Sequence, residues 1–440
     1  MSGTDLAPWL AQSQWPTVPI RYVAKLGTGH TPSRQHPEYW ENCTLPWITL
    51  ADVWQLRDGT RDTVLETKEK VSHLGLANSA AVLHPAGTVI LSRTASVGFS
   101  AIMGHDMATS QDFATWTCGP KVEPRYLLHA LRAMAPDLRR VAAGSTHKTI
   151  YMPDIEQLRI PLPSLEEQRR IADFLDAETA RTDKVAQAQR LVKSRLLERR
   201  ANSVYELVLG KDRHQRKPSG LAWADSVPED WSVIKLSYVS RMGSGHTPSR
   251  SHPEWWVDCT IPWVTTGEVH QVRDDRRETL TVTREKISKL GLANSAAELH
   301  PKNTVVLCRT ANSAGYSAVL GADMATSQDL VTWTCGPRLD PFYLLWCLRA
   351  MRSDLLGRLA MGSTHKTIYV PDLQMLKIPV PLIQEQHEIV ESIRDSNNRI
   401  DAAMDTLDRQ LELLAERRQT LITAAVTGQI DSATARGFEN

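Results

Sequence analysis

Excess charge is what this sequence most conspicuously lacks: 51 Lys and Arg stand against 50 Asp and Glu, leaving +1 over 440 residues. No whole-molecule field draws it to a polyanion, so any nucleic-acid surface must be a local patch. Cysteine is scarce, with six residues and no CxxC spacing. Zinc-ribbon and dithiol motifs are thereby excluded, and the six are expected as reduced, partly buried thiols. No apolar run approaches the roughly 18 residues that span a bilayer. The start MSGTDLAPWLAQSQWP offers neither a basic stretch nor an apolar core, so a cytoplasmic location is expected. Catalytic signatures are missing as well. There is no GxxxxGK[ST], no Gly-x-Ser-x-Gly and no His-x-x-x-His, and Gly27-Thr28-Gly29 lacks the third glycine of a dinucleotide site. Glu66-Thr67-Lys68 has no upstream Asp to make a nuclease motif, and its copy reads Val282-Thr283-Arg284.

What is present is a tandem duplication. GHTPSR at Gly29 returns at Gly245 and GLANSAA at Gly75 returns at Gly291, both displaced by 216 residues. MATSQD at Met107 returns at Met324, and GSTHKTIY at Gly144 returns at Gly362, so two single-residue insertions separate the copies. Within each copy the texture changes once. Trp15 to Pro163 and Trp231 to Pro381 are rich in Trp, Thr, Gly and Pro, which predicts short strands and turns with a few helices such as Arg125 to Met134. After Pro163 and Pro381 neither Gly nor Pro occurs until Gly210 and Gly428, which predicts two long helices. The second carries a heptad seam through Ile393, Ile400, Leu407, Leu414 and Leu421. The first is weaker, with Ile171, Leu175, Val185, Val192 and Leu196 interrupted by Glu178, Thr182 and Gln189. Pairing of the two as a coiled coil is expected, as a rigid spacer about 68 Å long.

Polar loops recur in both copies. Eight of the fourteen histidines occupy matched positions. His84 and His300, each followed by Pro, are expected to be structural, whereas His147 and His365 lie in GSTHK loops with Ser145, Thr146, Lys148 and Ser363, Thr364, Lys366. Hydroxyl, imidazole and ammonium groups together suit phosphates and base edges. Arg93-Thr94 and Arg309-Thr310 follow strand-like runs, where an arginine reaches a guanine edge or a phosphate. Ser110-Gln111-Asp112 and Ser327-Gln328-Asp329 either read adenine through the Gln amide or form a turn. Thr31, Ser33 and Arg34, with Thr247, Ser249 and Arg250, form a further polar loop edge. The matched tryptophans are expected in the core.

Taken together, these residues resemble the DNA-specificity subunit of type I restriction-modification systems. GSTHKTIYMPDIEQLRIPLPSLEEQRRIADFLD at Gly144, its copy at Gly362, the Pro-x-x-x-Glu-Gln step into each helix, the PEYW/PEWW and PWIT/PWVT openings and the tail LITAAVTGQID carry the likeness, which covers nearly the whole chain. The resemblance implies an α+β chain: a target recognition domain at 1–163, a helical spacer at 164–210, a second recognition domain at 211–381, a second spacer at 382–430 and a tail at 431–440. The two helices would pair antiparallel, giving a pseudo-two-fold repeat. It implies a non-catalytic reader of a bipartite double-stranded DNA target that docks two methyltransferase subunits and, through them, restriction subunits. S-adenosylmethionine, ATP and Mg are expected on those partners and no cofactor on this chain. Because the copies are so alike, the target is expected to be nearly palindromic, with differences placed at Thr49 to Asp52 against Thr265 to Glu268 and at Ala95 to Gly98 against Ala311 to Gly315. Lys148 and Lys366 are expected on phosphates. The main alternative is the same DNA-reading role in another multi-subunit defence or modification complex. A single-chain nuclease and a bare coiled-coil scaffold are weaker alternatives.

Overall fold

Both glycine-free stretches fold as single 44-residue helices in the computed structural model, which describes residues 7–57, 59–143, 148–359 and 367–430. The chain divides into two compact units, Met1–Arg190 with Asp408–Asn440, and Leu191–Leu407. Besides a two-stranded ribbon of Thr17–Pro19 and Arg159–Pro161, the first unit has strands β1 (Ala24–Thr28), β2 (Leu45–Ile48), β3 (Thr63–Val64), β4 (Glu69–Val71), β5 (Val89–Ser92), β6 (Ser100–Met103), β7 (Ala108–Thr109) and β8 (Phe113–Cys118). They form a five-stranded sheet in the order β1-β8-β5-β6-β3 and a three-stranded sheet in the order β4-β2-β7. Both are mixed, with β3 parallel to β6 and β2 parallel to β7. The continuous apolar run of β5 is buried on both faces. One face meets helix α1 (Pro124–Ala143), and α2 (Leu165–Val208) follows.

Helix α1 runs on past the predicted end at Met134, straight through Pro136. Proline has no N–H for the carbonyl four residues back, which is that of Arg132. Gln419 supplies the missing donor, its Nε2 lying 3.2 Å from that oxygen and 3.1 Å from Ala133 O.

The second unit repeats the plan with β9 (Ser240–Ser244), β10 (Ile261–Val264), β11 (Thr279–Leu280), β12 (Glu285–Ile287), β13 (Val305–Cys308), β14 (Ser317–Leu320), β15 (Met324–Thr326) and β16 (Leu330–Cys335). Its large sheet has the order β9-β16-β13-β14-β11, matching the first. Helix α3 (Pro341–Ala350) covers it, and α4 (Ile383–Val426) ends the described chain.

Each unit contains part of both long helices. In the first, Gln189 bonds Gln410 at 3.0 Å and Asp183 meets Arg418 at 3.4 Å. In the second, Arg200 pairs with Asp401 at 2.9 Å and Ser203 with Ser396 at 3.3 Å. Numbers fall along one helix as they rise along the other, so the pairing is antiparallel. Ile393 and Ile400 are buried, and Leu407, Leu414, Leu421 and Leu196 are half-buried. Ile171 and Leu175 are buried in the first unit's core. Val185 and Val192 depart from the expected seam, being 48% and 49% exposed. The polar interrupters take their place: Thr182 is half-buried, and Gln189 bonds across the pair.

The start of each long helix is clamped by one glutamine. Gln168, fully buried, accepts from Glu123 N at 2.9 Å and donates to Lys121 O and Pro163 O at 3.1 and 2.9 Å. Gln386 does the same with Asp340 N, Arg338 O and Pro381 O. That is the physical content of the Pro-x-x-x-Glu-Gln step.

The six cysteines are free thiols. Burial pushes Cys118, Cys335 and Cys347 up to about 12 and Cys308 up to about 11, so these four stay protonated at neutral pH. Trp47, Trp116, Trp231, Trp263 and Trp333 are buried, while Trp15, Trp40 and Trp256 are half-buried. Among the described residues no helix is long and apolar enough to cross a membrane.

Candidate nucleic-acid interface

Sheet order brings distant loops together. In the first unit β1 ends, β5 ends and β8 begins at the same edge of the sheet, because β1 and β5 both pair antiparallel with β8. The loops carrying Thr31, Arg93-Thr94 and Ser110-Gln111 therefore meet. Gly29 permits the closest approach: a Cβ there would lie 1.9 Å from Thr109 O, and at Gly245 2.1 Å from Thr326 O.

Inside the cluster one aspartate ties the loops. Asp112 accepts from Ser110 Oγ at 2.8 Å and from Thr94 Oγ1. Its own carbonyl takes Arg93 N at 2.9 Å. In the second unit Asp329 accepts from Thr310 Oγ1 at 2.9 Å and Ser327 Oγ at 3.5 Å. Each aspartate closes the repeated Ser-Gln-Asp triplet, and its bond to a threonine 18 or 19 positions away is what the sequence did not reveal. Thr94, Thr310, Ser110 and Ser327 are thus spent on loop geometry.

What remains presented outward is Gln111 and Gln328, both exposed. Thr31 Oγ1 donates to Gln111 Oε1 at 2.7 Å, and Thr247 Oγ1 to Gln328 Oε1 at 2.6 Å. Each amide is held while its two N–H groups and one oxygen lone pair stay available, the donor and acceptor pair that an adenine edge requires.

Arg93 and Arg309 are half-buried. Arg93 Nη1 donates to Ile150 O at 3.4 Å, and Arg309 Nε donates to Gln328 O at 3.0 Å. Lys148 joins the same cluster, since Thr94 bridges Thr149 and Ile150 N bonds Arg93 O at 2.8 Å. It is exposed, with a left-handed φ of 47°. Ser145, Thr146, His147, Ser363, Thr364, His365 and Lys366 lie outside the described residues.

Arg34 and Arg250 are placed differently. Each lies over a tryptophan ring, Trp40 at 4.0 Å and Trp256 at 3.7 Å, and each meets a glutamate, Glu69 or Glu285, at 2.8 Å. These guanidinium groups hold the GHTPSR loops to the smaller sheets. Ser33 and Ser249 are exposed, and their carbonyls accept from Trp40 and Trp256.

One expected readout position turns inward. Asp52 and Glu268 are buried, because each carboxylate caps a short 3-10 helix, taking Thr49 N at 2.9 Å and Thr265 N at 2.8 Å. The other outer face of that helix, overlooked in the sequence, carries Trp54 at 63% exposure, where the second copy has exposed His270. Helical spacing of three in Leu50–Leu56 would have found it, since Val53 and Leu56 point inward. His84 and His300 are buried against Thr115 and Thr332, and burial lowers both imidazoles. Among the described residues no group of three or more His, Cys, Asp or Glu gathers as a metal site would require.

The family model described as type I restriction modification DNA specificity domain matches residues 12–192 and 228–421, each covering one copy of the repeat. The chain belongs to this family. It is a specificity subunit, the non-catalytic component of such systems. It is 21% identical to the specificity subunit of type I restriction enzyme MjaIX from Methanocaldococcus jannaschii, over 94% of this chain and 93% of that one. It is 26% identical to the EcoR124I/EcoR124II specificity subunit of Escherichia coli over 40% of this chain and 43% of that one. A solved structure, from work on complex assembly and conformational transition of the type I R-M system, aligns with TM-score 0.71 and 19% identity, covering 94% of this subunit and 98% of that chain. The fold of the specificity subunit is therefore that of its family: two mixed α/β segments in tandem, each leading into a long helix.

Proposed function

We propose that this specificity subunit reads a bipartite, nearly palindromic double-stranded DNA target through its two loop clusters. The observation that carries the reading is the doubled Thr–Gln pair, Thr31 with Gln111 and Thr247 with Gln328, which presents the same fixed amide in both units. Equal readers favour equal bases in inverted half-sites. Trp54 against His270, and the loops after Thr94 and Thr310, are where the half-sites would differ. The antiparallel helices dock two methyltransferase subunits, which bring in the restriction subunits; exposed Val185, Val192 and Leu413 support such a surface. S-adenosylmethionine, ATP and Mg belong to those partners. The near-neutral charge fits a reader whose partners supply much of the backbone grip. Co-expression with the neighbouring methyltransferase gene, followed by mapping of N6-methyladenine in host DNA, tests the reading. A two-part inverted motif with a fixed spacer is expected. Two unrelated half-sites would refute the near-palindrome, and absence of methylation together with failure to co-purify would refute the docking role.

A further inference from the structure

Comparison of the two units, residue against residue, exposes one charge that is present in the second and missing from the first. Around the junction of large sheet and long helix, Arg418 with Asp183 matches Arg200 with Asp401. Arg418 donates to Gly59 O, as Arg200 does to Asp275 O. Arg352 lies over the Tyr316 ring at 4.4 Å and donates to Gly315 O; Arg139, one turn further along its helix, lies over the matching Phe99 ring at 5.3 Å and donates to Val97 O. Every cation has its counterpart. The central carboxylate does not: Asp275, which takes both Arg352 nitrogens at 2.6 and 2.7 Å, is replaced by Gly59.

The first unit has a cleft there of about 430 Å³, lined by Arg57, Gly59, Gly98, Arg139, Arg418 and Glu416. Asp183 serves Arg418, and Asp62 serves the neighbouring Arg132. Arg57 and Arg139 have no carboxylate partner among the described residues. A Cβ at Gly59 would stand 3.0 Å from Arg418 Nη1, the counterpart of Arg200, so a carboxylate entering there stands beside a guanidinium group. Leu56, Phe99, Pro136 and Ile422 give the same cleft an apolar flank.

We infer that this cleft binds the carboxylate of an acidic side chain from a protein partner, taking in trans the charge that the second unit supplies from its own Asp275. Charge complementarity selects the carboxylate, and the apolar flank selects a protein over a nucleic acid. The identity of that partner as a methyltransferase subunit rests on the function proposed above; the cleft itself does not.

The test uses the intact chain and three substitutions. Gly59→Asp fills the cleft as Asp275 does, at a position whose φ of +69° matches the +57° that Asp275 adopts. Arg139→Gln removes a cation, and Asp58→Asn controls for the adjoining residue. Citrate is the carboxylate probe, against chloride at equal ionic strength. The wild-type thermal midpoint is expected to rise by about 2 °C or more in citrate, by mass action. The Asp58→Asn chain should respond like wild type, while Gly59→Asp and Arg139→Gln should not respond. Equal responses from wild type and Gly59→Asp would overturn the site, and a response that appears only in Asp58→Asn would hand it to the chain's own carboxylate. With the methyltransferase present, Gly59→Asp and Arg139→Gln should weaken association about tenfold while leaving the salt slope of DNA binding unchanged. Unchanged association with a shallower salt slope would assign the cleft to a DNA phosphate instead and refute the inference. If wild type itself fails to associate, the docking role falls, and the citrate titration alone decides the cleft.

Discussion

Removing the side chain of Gln419 tests whether a helix that contains proline is held by a donor from its neighbour. In α1, Pro136 leaves Arg132 O without its intrahelical N–H, and Gln419 Nε2 donates in its place at 3.2 Å. A buried carbonyl stripped of its partner costs about 1 to 3 kcal/mol, so Gln419→Ala should destabilise the first unit by roughly 2 kcal/mol. For a unit of this size that is a fall of about 4 to 8 °C in thermal midpoint. Pro136→Ser, the residue found at the matching Ser353, restores an N–H four residues after Arg132. In that background the glutamine is redundant, and Gln419→Ala should cost less than about 1 kcal/mol, a coupling of about 1 to 2 kcal/mol. Scanning calorimetry on the four chains of this cycle measures the coupling, and hydrogen exchange on residues 132–140 locates it. The second unit already shows the alternative: it has Ser353 instead of proline and Ala201 at the position matching Gln419. An equal cost of Gln419→Ala with proline and with serine would refute the account.

Gln168→Ala and Gln386→Ala each strand one buried and two partly buried backbone groups and should cost about 2 to 4 kcal/mol, measured by calorimetry; a loss under 1 kcal/mol would contradict the clamp. Burial is the main cause holding His84, His129 and His300 below their ordinary value of 6.5. The unfolded chain therefore takes up protons first, so this stability is complete above about pH 6.5 and declines below it, by at most about 1.4 kcal/mol per pH unit per histidine. A thermal midpoint that stays flat between pH 7.5 and 5 would contradict this. Lys148→Ala is expected to weaken DNA binding by the assembled complex across sequences and lower its salt slope by about one, read by titration at several salt concentrations. Thr31→Val releases Gln111 and should relax base preference in one half-site only, visible in the methylation motif.

Legibility in the sequence followed how local each constraint is. The two long helices announce themselves because 44 residues without glycine or proline permit little else. The duplication delivers the matching of the two sheets, since identical strings in the same order, with only two single-residue insertions between them, fold alike. Register across the helix pair was less legible. Apolarity alone assigns Val185 and Val192 to the seam, yet the Gln189–Gln410 bond turns the helix so that these valines face out. The loop cluster was legible in part: Thr31, Arg93, Thr94, Ser110, Gln111 and Lys148 do converge, as do their described counterparts in the second unit. Which of them are occupied was not, because Thr94 bonds an aspartate 18 residues on, and Arg34 lies over the Trp40 ring of a short 3-10 helix and meets a carboxylate on a strand 35 residues on. Pairings of that kind have no sequence period.

A duplicated chain also separates two reasons for identity between copies. Asp112 and Asp329, or Gln168 and Gln386, are identical because each satisfies several hydrogen bonds at once, and a change on one side would leave buried groups unpaired. Their sameness says nothing about DNA. Gln111 and Gln328 are different: both are exposed, and only one acceptor position of each amide is used internally. Their internal bond to Thr31 or Thr247 leaves the rest of each amide presented outward, which is what the proposed reading of a base edge uses. The mirror-image argument applies to Gly59 and Asp275. The arginines around them match while the carboxylate does not: Arg352 is half-buried against Asp275, whereas Arg139 stays exposed beside Gly59. The copies are thus alike in the residues that present an amide outward and unlike in one that decides whether a cation cluster closes on itself. On the proposed function, a nearly symmetric target would be read by a subunit whose two flanks are not interchangeable to its partners.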